Sequence, residues 1–126
     1  MISFANYLTP ATGFALMMKI NHRDVEGTHP EDTEGVDFKP LIAQNMNPPT
    51  FHMRLFEISP GGHTPRHTHE WEHEVFVLEG EGEIVLGDRE IRLVDGDAVY
   101  VEPNEQHQFV NDGRGIMRMI CVIPKP

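Results

Sequence analysis

Residues 67–73 read His67-Thr68-His69-Glu70-Trp71-Glu72-His73, and the rest of the chain is interpreted outward from this stretch. Neutral imidazole is the commonest side-chain ligand for divalent transition metals. In an extended segment His67 and His69 project to the same side, and a turn through residues 70–72 would return His73 to the same centre. The pattern, completed by a fourth histidine at the start of a distant strand, predicts one metal ion held by His67, His69, His73 and His107.

A histidine taken alone is more often a surface or core residue than a ligand, and the remaining histidines are interpreted in that way. They are His22, His29, His52 and His63. The cluster at 67–73 differs because it combines a His-x-His pair with a third histidine four residues on, beside a Gly-Gly-x-x-Pro turn at 61–65. It is also interior to the chain and spaced, unlike an expression tag.

The composition indicates one soluble domain. A chain of 126 residues is long enough to bury one core without disulfides. A net charge of -10 argues against binding to nucleic acid or to anionic membranes. Cys121 is the single cysteine, so no internal disulfide forms and a cytoplasmic location is expected. The N-terminus lacks the basic region of a secretory signal, and the apolar run from Phe14 to Met18 is too short to span a membrane.

Short apolar runs separated by Gly, Pro, Asn and Asp predict about nine strands. The predicted strands are Phe14–Ile20, Phe38–Ala43, Phe51–Ile58, His73–Leu78, Glu83–Leu86, Ile91–Val94, Ala98–Val101, His107–Val110 and Ile116–Ile123. The Ser-Pro-Gly-Gly sequence at 59–62 is expected to close the third of these. No segment sustains a 3.6-residue apolar period, so the spacing is typical of an all-β sandwich or barrel.

The chain divides at residue 38 in this interpretation. Residues 1–37 are expected to form an N-terminal extension, and within it residues 21–37 carry six acids against one arginine and form a solvated loop. Residues 38–126 are expected to form the β-barrel.

Two spaced motifs resemble those of the cupin superfamily. In the first, Gly61 is followed after five residues by His67-Thr68-His69, after three more by His73 and after six more by Gly80. In the second, Gly96 is followed after five residues by Glu102-Pro103-Asn104-Glu105-Gln106-His107 and after three more by Asn111. The resemblance covers roughly residues 38–126. It implies a double-stranded β-helix, also called a jelly-roll barrel, with an exchanged or edge strand at Phe14–Ile20 and a homodimer.

The sequence departs from the family pattern at three positions. Glu102 replaces a proline and Asn104 replaces a glycine in the second motif. Asn is the residue that best replaces Gly at positive φ, so the turn is predicted to survive. In the first motif His73 stands where the usual glutamate ligand would be, whereas Glu74 leaves only five residues before Gly80 and points to the opposite face of the strand. Four-histidine sites of this kind resemble those of small bacterial manganese cupins.

Four neutral ligands leave the charge of a divalent ion uncompensated, so the site would attract an anionic or chelating oxygen and act as a Lewis acid. The resemblance implies Mn or Fe; Mn is favoured, and Fe, Ni, Zn and Cu are alternatives. It also implies the leading hypothesis, a metal-dependent oxygenase or oxidase acting on a small organic molecule. The alternatives are a non-catalytic small-molecule sensor or carrier, and an oxygen-independent lyase, isomerase or hydrolase.

Five further residues are candidates for the pocket. Arg54 would anchor a substrate carboxylate if its side chain faces inward, and otherwise forms a structural ion pair. Cys121 lies in the last strand, where similar cupins place a residue lining the metal pocket; the alternative is a buried small hydrophobe. Phe109, Met119 and Ile123 are candidate lining residues, and strand alternation places the last two on the same side as Cys121.

Overall fold

The computed structural model describes residues 17–126, in which the regular structure is almost entirely β. In this part of the chain a short 3-10 helix, His22–Asp24, precedes eight strands. The strands are β1 Glu34–Ile42, β2 Phe51–His63, β3 His73–Glu79, β4 Glu81–Leu86, β5 Arg89–Val94, β6 Ala98–Val101, β7 His107–Val110 and β8 Met117–Pro124. The predicted all-β fold class is confirmed, and the bounds of β6 and β7 are those that the sequence predicts.

All eight strands belong to one antiparallel sheet, in the order β5-β4-β7-β2-β8-β3-β6, with β1 paired to β2 outside this path. Strands far apart in this order nevertheless share one core, since Ile84 of β4 and Leu93 of β5 belong to the same buried cluster as Val77 of β3 and Val101 of β6. The sheet therefore curls into a barrel whose inward-facing side chains meet in the middle.

Strand β8 shows how alternation builds this interior. Its buried residues are Met117, Met119, Cys121 and Ile123, with partly buried residues between them. Across the β3–β8 ladder Val75 stands opposite Cys121 and Val77 opposite Met119. Because side chains alternate between the two faces of a strand, each of these residues points into the barrel. Full burial of one such side chain contributes roughly 1.5–3 kcal/mol.

The prediction that Ser59 to Gly62 ends a strand is wrong, because strand β2 continues to His63. Gly61 has a φ of 81° and its N–H donates to the carbonyl oxygen of Asn111 at 2.8 Å. A Cβ at Gly62 would lie 2.5 Å from the carbonyl oxygen of Glu34, so only glycine allows β1 to approach this closely. The two glycines bend the strand and keep its hydrogen bonds.

The N-terminal boundary also differs from the prediction. Strand β1 begins at Glu34, so the end of the acidic segment is part of the sheet, and Thr28 exchanges two backbone hydrogen bonds with Phe38 of β1. Part of the predicted strand Phe14–Ile20 lies outside the described residues, and Met17–Ile20 belong to no strand. Within residues 17–126, no helix has the length and apolar character needed to cross a membrane.

Asn104 adopts a φ of 68°, which confirms the prediction that it replaces a glycine at positive φ. Its N–H donates to the carbonyl oxygen of His69 at 2.7 Å, so this turn also holds the histidine loop.

Asn104→Gly should leave the free energy of unfolding nearly unchanged, whereas Asn104→Val should lower it by about 1–2 kcal/mol because a β-branched residue is strained there. Urea denaturation compares the two variants, and equal stability would contradict the strain.

A buried acid on the outer face of β2 ties three strands together. Glu57 accepts from Lys39 of β1 at 3.1 Å and from Arg118 of β8 at 2.6 Å. Burial raises the pKa of Glu57, but the hydrogen bonds from Arg118 and Lys39 outweigh burial and hold the pKa below its ordinary value of 4.5. The ionised carboxylate therefore stabilises the folded state at neutral pH.

Glu57→Gln should lower the free energy of unfolding at pH 7 by about 1–2 kcal/mol, because a charged hydrogen-bonding partner is replaced by a neutral one. The wild-type contribution is present above pH 4.5 and is lost as the pH falls through the lowered pKa of the folded state. The difference in the free energy of unfolding between wild type and Glu57→Gln should therefore become smaller in acid, as measured by urea denaturation from pH 7 to pH 3. Glu90→Gln, at an exposed position on β5, is the control; a difference that does not depend on pH would exclude Glu57 as the source.

Candidate metal centre

Backbone pairing brings together two histidines that are 40 residues apart in sequence (67 and 107). The N–H of His67 donates to the carbonyl oxygen of His107 at 3.1 Å, and the N–H of His107 donates to that of His67 at 3.0 Å. This antiparallel bridge places the loop before β3 directly against the start of β7. His73 is the first residue of β3 and is buried.

The four imidazoles that the sequence predicts as ligands form one cluster. Ring centroids are 4.8 Å apart for His67 and His107, 4.4 Å for His69 and His73, and 5.0 Å for His73 and His107. His67, His69 and His107 each present a nitrogen within 4.8 Å of those of the other two. The Nε2 atom of His73 lies 2.5 Å from that of His69, so His73 joins the group through His69.

In His69 and His107 the ring nitrogen that points away from the cluster, Nδ1, lies at hydrogen-bonding distance from a main-chain carbonyl oxygen. The Nδ1 atom of His69 lies 2.7 Å from the carbonyl oxygen of Trp71, and that of His107 lies 2.9 Å from the carbonyl oxygen of Glu105. A carbonyl oxygen can only accept, so both Nδ1 atoms carry the proton. The Nε2 atoms therefore present lone pairs toward the centre of the cluster, which is the tautomer that a metal ligand needs.

The protein environment favours the neutral form of His67, His69 and His73. Burial, followed by the charges of His69 and Arg54, lowers the pKa of His73 to about 3. Burial likewise lowers the pKa of His67 and that of His69, with contributions from neighbouring histidines and Arg54. Neutral imidazole is the form that coordinates a metal, so the site is preset for a cation at pH 7.

Two features of this cluster fit a bound cation. The Nε2 atom of His107 is buried and makes no hydrogen bond within the described part of the chain, although an unpaired buried nitrogen is costly. The Nε2 atoms of His69 and His73 lie 2.5 Å apart, so two lone pairs there would repel each other unless a positive charge lies close to both. The donor set and both features fit one divalent transition metal.

The cluster opens into a small cavity of about 90 Å³, and the other side chains around it are mainly apolar. The lining consists of Arg54, Phe56, Thr64, Pro65, His67, His69, Trp71, His73, Val75, His107, Phe109, Met119 and Cys121. This lining contains no Asp or Glu, so nothing in it offsets the charge of Arg54 or of a metal. The cavity is therefore suited to an anion.

Arg54 points into the cavity. Its guanidinium carbon lies 5.6 Å from the ring centroid of Phe38 and 5.4 Å from that of Phe56, and Nη2 donates to the sulfur of Cys121 at 3.0 Å. Its Nε is buried and makes no hydrogen bond among residues 17–126. The two rings hold the cation by cation–π interaction and leave this donor available.

The remaining candidate residues separate into two groups. Cys121, Phe109 and Met119 line the cavity, whereas Ile123 does not. Ile123 is buried opposite His52 on β2, one inward position beyond Cys121 along β8, and packs in the core. Burial raises the pKa of the Cys121 thiol, with Arg54 acting in the opposite sense.

Sequence interpretation missed several lining residues, among them Phe56, Val75 and Trp71. Strand alternation could have found the first two, because Phe56 follows Arg54 by two residues and Val75 follows His73 by two. Trp71 stacks on His69 with ring centroids 4.4 Å apart and planes at 7°. Its position depends on the loop conformation, for which the sequence has no periodic signal.

Residues 54–123 match the family model described as a cupin domain. The chain belongs to the cupin family. The matched segment runs from β2 to β8 and contains all four clustered histidines, so the family assignment and the site geometry agree. This cupin therefore combines the family barrel with a histidine cluster suited to metal binding.

Two solved structures resemble this cupin over most of its length. The polyketide cyclase RemF from Streptomyces resistomycificus is 32% identical, with a TM-score of 0.81, over 88% of this chain and 81% of that chain. A cupin 2 domain-containing protein from Halorhodospira halophila is 33% identical, with a TM-score of 0.68, over 80% of this chain and 70% of that chain.

Curated relatives match less of the chain. The 1-methylthio-D-xylulose 5-phosphate methylsulfurylase of Rhodospirillum rubrum is 29% identical over 74 residues, which are 59% of this cupin and 47% of that protein. The chain spans about half the length of the curated relatives it matches.

Proposed function

We propose that this cupin is a metal-dependent enzyme that acts on a small β-dicarbonyl compound, in which two carbonyl groups flank one acidic carbon. The observation that carries the proposal is the lining of the cavity, where four clustered imidazoles face one guanidinium among apolar side chains without a carboxylate. Such a lining favours a substrate that binds as an anion. The similarity to a polyketide cyclase supports the same substrate class, because polyketides carry ketones on alternate carbons.

A divalent metal held by His67, His69, His73 and His107 would act as a Lewis acid that stabilises an enolate. Manganese is our first choice, with Fe, Ni, Zn and Cu as alternatives. The lining offers no Asp or Glu to act as a strong base, so it suits a substrate whose acidic C–H ionises readily.

The protein's own residues would bind and orient the substrate. Arg54, fixed by Phe38 and Phe56, would donate to a carboxylate or enolate oxygen. Phe109, Met119 and Val75 would exclude water from the carbon chain and strengthen this charged contact. A folded substrate held in this way could form a carbon–carbon bond between its enolate carbon and a distant ketone. The ketone oxygen takes up two protons, which balance the two that the nucleophilic carbon loses, and it leaves as water while a carbon–carbon double bond forms; no oxidant is required.

Oxygenation of the same substrate class is the second candidate, because the apolar lining would also admit dioxygen. We place either activity in the cytoplasm, where the single thiol of Cys121 stays reduced.

The test uses 3,5,7-trioxooctanoate, which carries a carboxylate and three ketones, with protein loaded with Mn²⁺, Fe²⁺ or Zn²⁺. Cyclisation should proceed without oxygen and give a product one water lighter, detected by mass spectrometry and NMR. Product that forms only with matching oxygen uptake would replace cyclisation with oxygenation. Binding of metal and compound without turnover of this compound under either atmosphere would overturn the enzyme proposal in favour of a carrier or sensor.

Arg54→Met is the matched variant for the substrate contact, because it keeps an unbranched side chain and removes the guanidinium. It should raise KM for the carboxylate far more than it changes metal content. An unchanged KM would show that Arg54 does not contact the substrate.

A further inference from the structure

The position of one ring nitrogen distinguishes His73 from its neighbours. His69 and His107 direct Nδ1 at main-chain carbonyl oxygens, whereas Nδ1 of His73 lies 2.8 Å from the sulfur of Cys121. We propose that Cys121 is a positioning residue that orients His73 as a metal ligand and couples it to Arg54. The inference rests on the metal site of the proposed function.

The proton arrangement follows from the role of His73. If its Nε2 presents a lone pair to a metal, its Nδ1 must carry the proton, and Cys121 Sγ is then the acceptor. The same sulfur accepts from Nη2 of Arg54 at 3.0 Å. Cys121 thus receives two hydrogen bonds from opposite sides, one from the ligand and one from the residue that would bind substrate.

Burial makes this arrangement hard to replace. Cys121 is 2% exposed and His73 is 6% exposed, so bulk water cannot substitute for the sulfur. Cys121 stands opposite Arg54 in the β2–β8 ladder and opposite Val75 in the β3–β8 ladder. Two strand registers therefore fix the sulfur between the guanidinium and the imidazole.

The coupling has a functional consequence. A substrate oxygen that accepts from Arg54 draws the positive charge of the guanidinium toward itself, which weakens the hydrogen bond from Nη2 to the sulfur. When the Arg54 bond to sulfur weakens, the sulfur becomes a better acceptor for Nδ1–H of His73, which makes Nε2 a stronger donor to the metal. Capture of the substrate would in this way be transmitted to the fourth ligand.

Binding of Co²⁺ alone tests the positioning role, because the visible absorption of this ion reports its ligands. Cys121→Ala should weaken Co²⁺ binding by roughly 10–100-fold and shift the absorption band, as expected when a metal-bound histidine loses its partner. Cys121→Ser keeps an acceptor and should recover most of the affinity. Val77→Ala is the packing control: Val77 is also fully buried, on β3, but lies outside the cavity.

The coupling is tested by a double-mutant cycle. Arg54→Met should shift the Co²⁺ band in the wild-type background but not in the Cys121→Ala background, because the sulfur carries the effect. Equal Co²⁺ affinity of Cys121→Ala and wild type would overturn the inference, as would an equal loss in Val77→Ala. Failure of the wild-type protein itself to bind Co²⁺ would instead overturn the metal site on which the proposed function depends.

Discussion

His107→Ala is expected to abolish stoichiometric metal binding. His107 is 2% exposed, its Nδ1 is held by the carbonyl oxygen of Glu105, and its Nε2 is the buried nitrogen that lacks a hydrogen bond within residues 17–126. Losing only a partner of a ligand costs roughly 10–100-fold in metal affinity, so losing the ligand itself should cost more.

The chain carries its own reporter for this experiment. Trp71 is the single tryptophan and stacks on His69, so a paramagnetic ion such as Mn²⁺ or Co²⁺ should quench its fluorescence. Titration with either ion should quench the Trp71 fluorescence of wild type and leave that of His107→Ala unchanged. Elemental analysis should find metal in purified wild type and none in purified His107→Ala.

Two further variants separate loss of a ligand from loss of structure. His69→Ala removes a proposed ligand from a less buried position, and it should lose metal while keeping the fold measured by circular dichroism. His63→Ala removes a nearby histidine whose Nδ1 lies 3.1 Å from the carbonyl oxygen of Thr64, outside the cluster. It should bind metal as wild type does. Folded His107→Ala and His69→Ala proteins that still hold one metal per chain would exclude this cluster as the site.

Asn111→Ala is expected to lower the free energy of unfolding by about 3 kcal/mol, because it leaves the buried carbonyl oxygen of Ile58 and two partly buried backbone groups of the following turn without partners. The Asn111 side chain is fully buried and donates to the carbonyl oxygens of Ile58 at 2.8 Å and Gly115 at 2.9 Å. Its Oδ1 accepts from the N–H of Gly113 at 2.9 Å. One side chain therefore ties the bend of β2 to the turn between β7 and β8.

Urea denaturation with a constant m value measures this loss. Asn45→Ala is the matched control, because the Asn45 side chain also accepts from a backbone N–H (Ala43) and donates to a backbone carbonyl oxygen (Leu41), but in a half-buried turn after β1. Asn45→Ala should lower the free energy of unfolding clearly less than Asn111→Ala does, since water can replace the hydrogen bonds of Asn45. Equal losses in the two variants would show that burial does not set the cost at Asn111.

The sequence predicts most strands because short apolar runs bounded by turn residues are a local signal. In His73–Glu79 and Met117–Pro124 the burial alternates, but apolar residues also occupy outward positions, so only the structure shows which face is inside. Prediction fails at Ser59 to Gly62, where Pro and Gly usually signal a turn. The strand continues there because Asn111, far along the chain, supplies the hydrogen bonds that keep the bend in the sheet.

The histidine spacing and the positive φ of Asn104 are determined by the sequence, because both depend on residues adjacent in the chain. The inward direction of Arg54 and the contact of Cys121 with His73 are decided only by the tertiary structure. Both depend on the register of β8 against β2 and β3, strands that are distant in sequence. A register is set by the whole barrel closing around its core, so no local pattern in the sequence contains it.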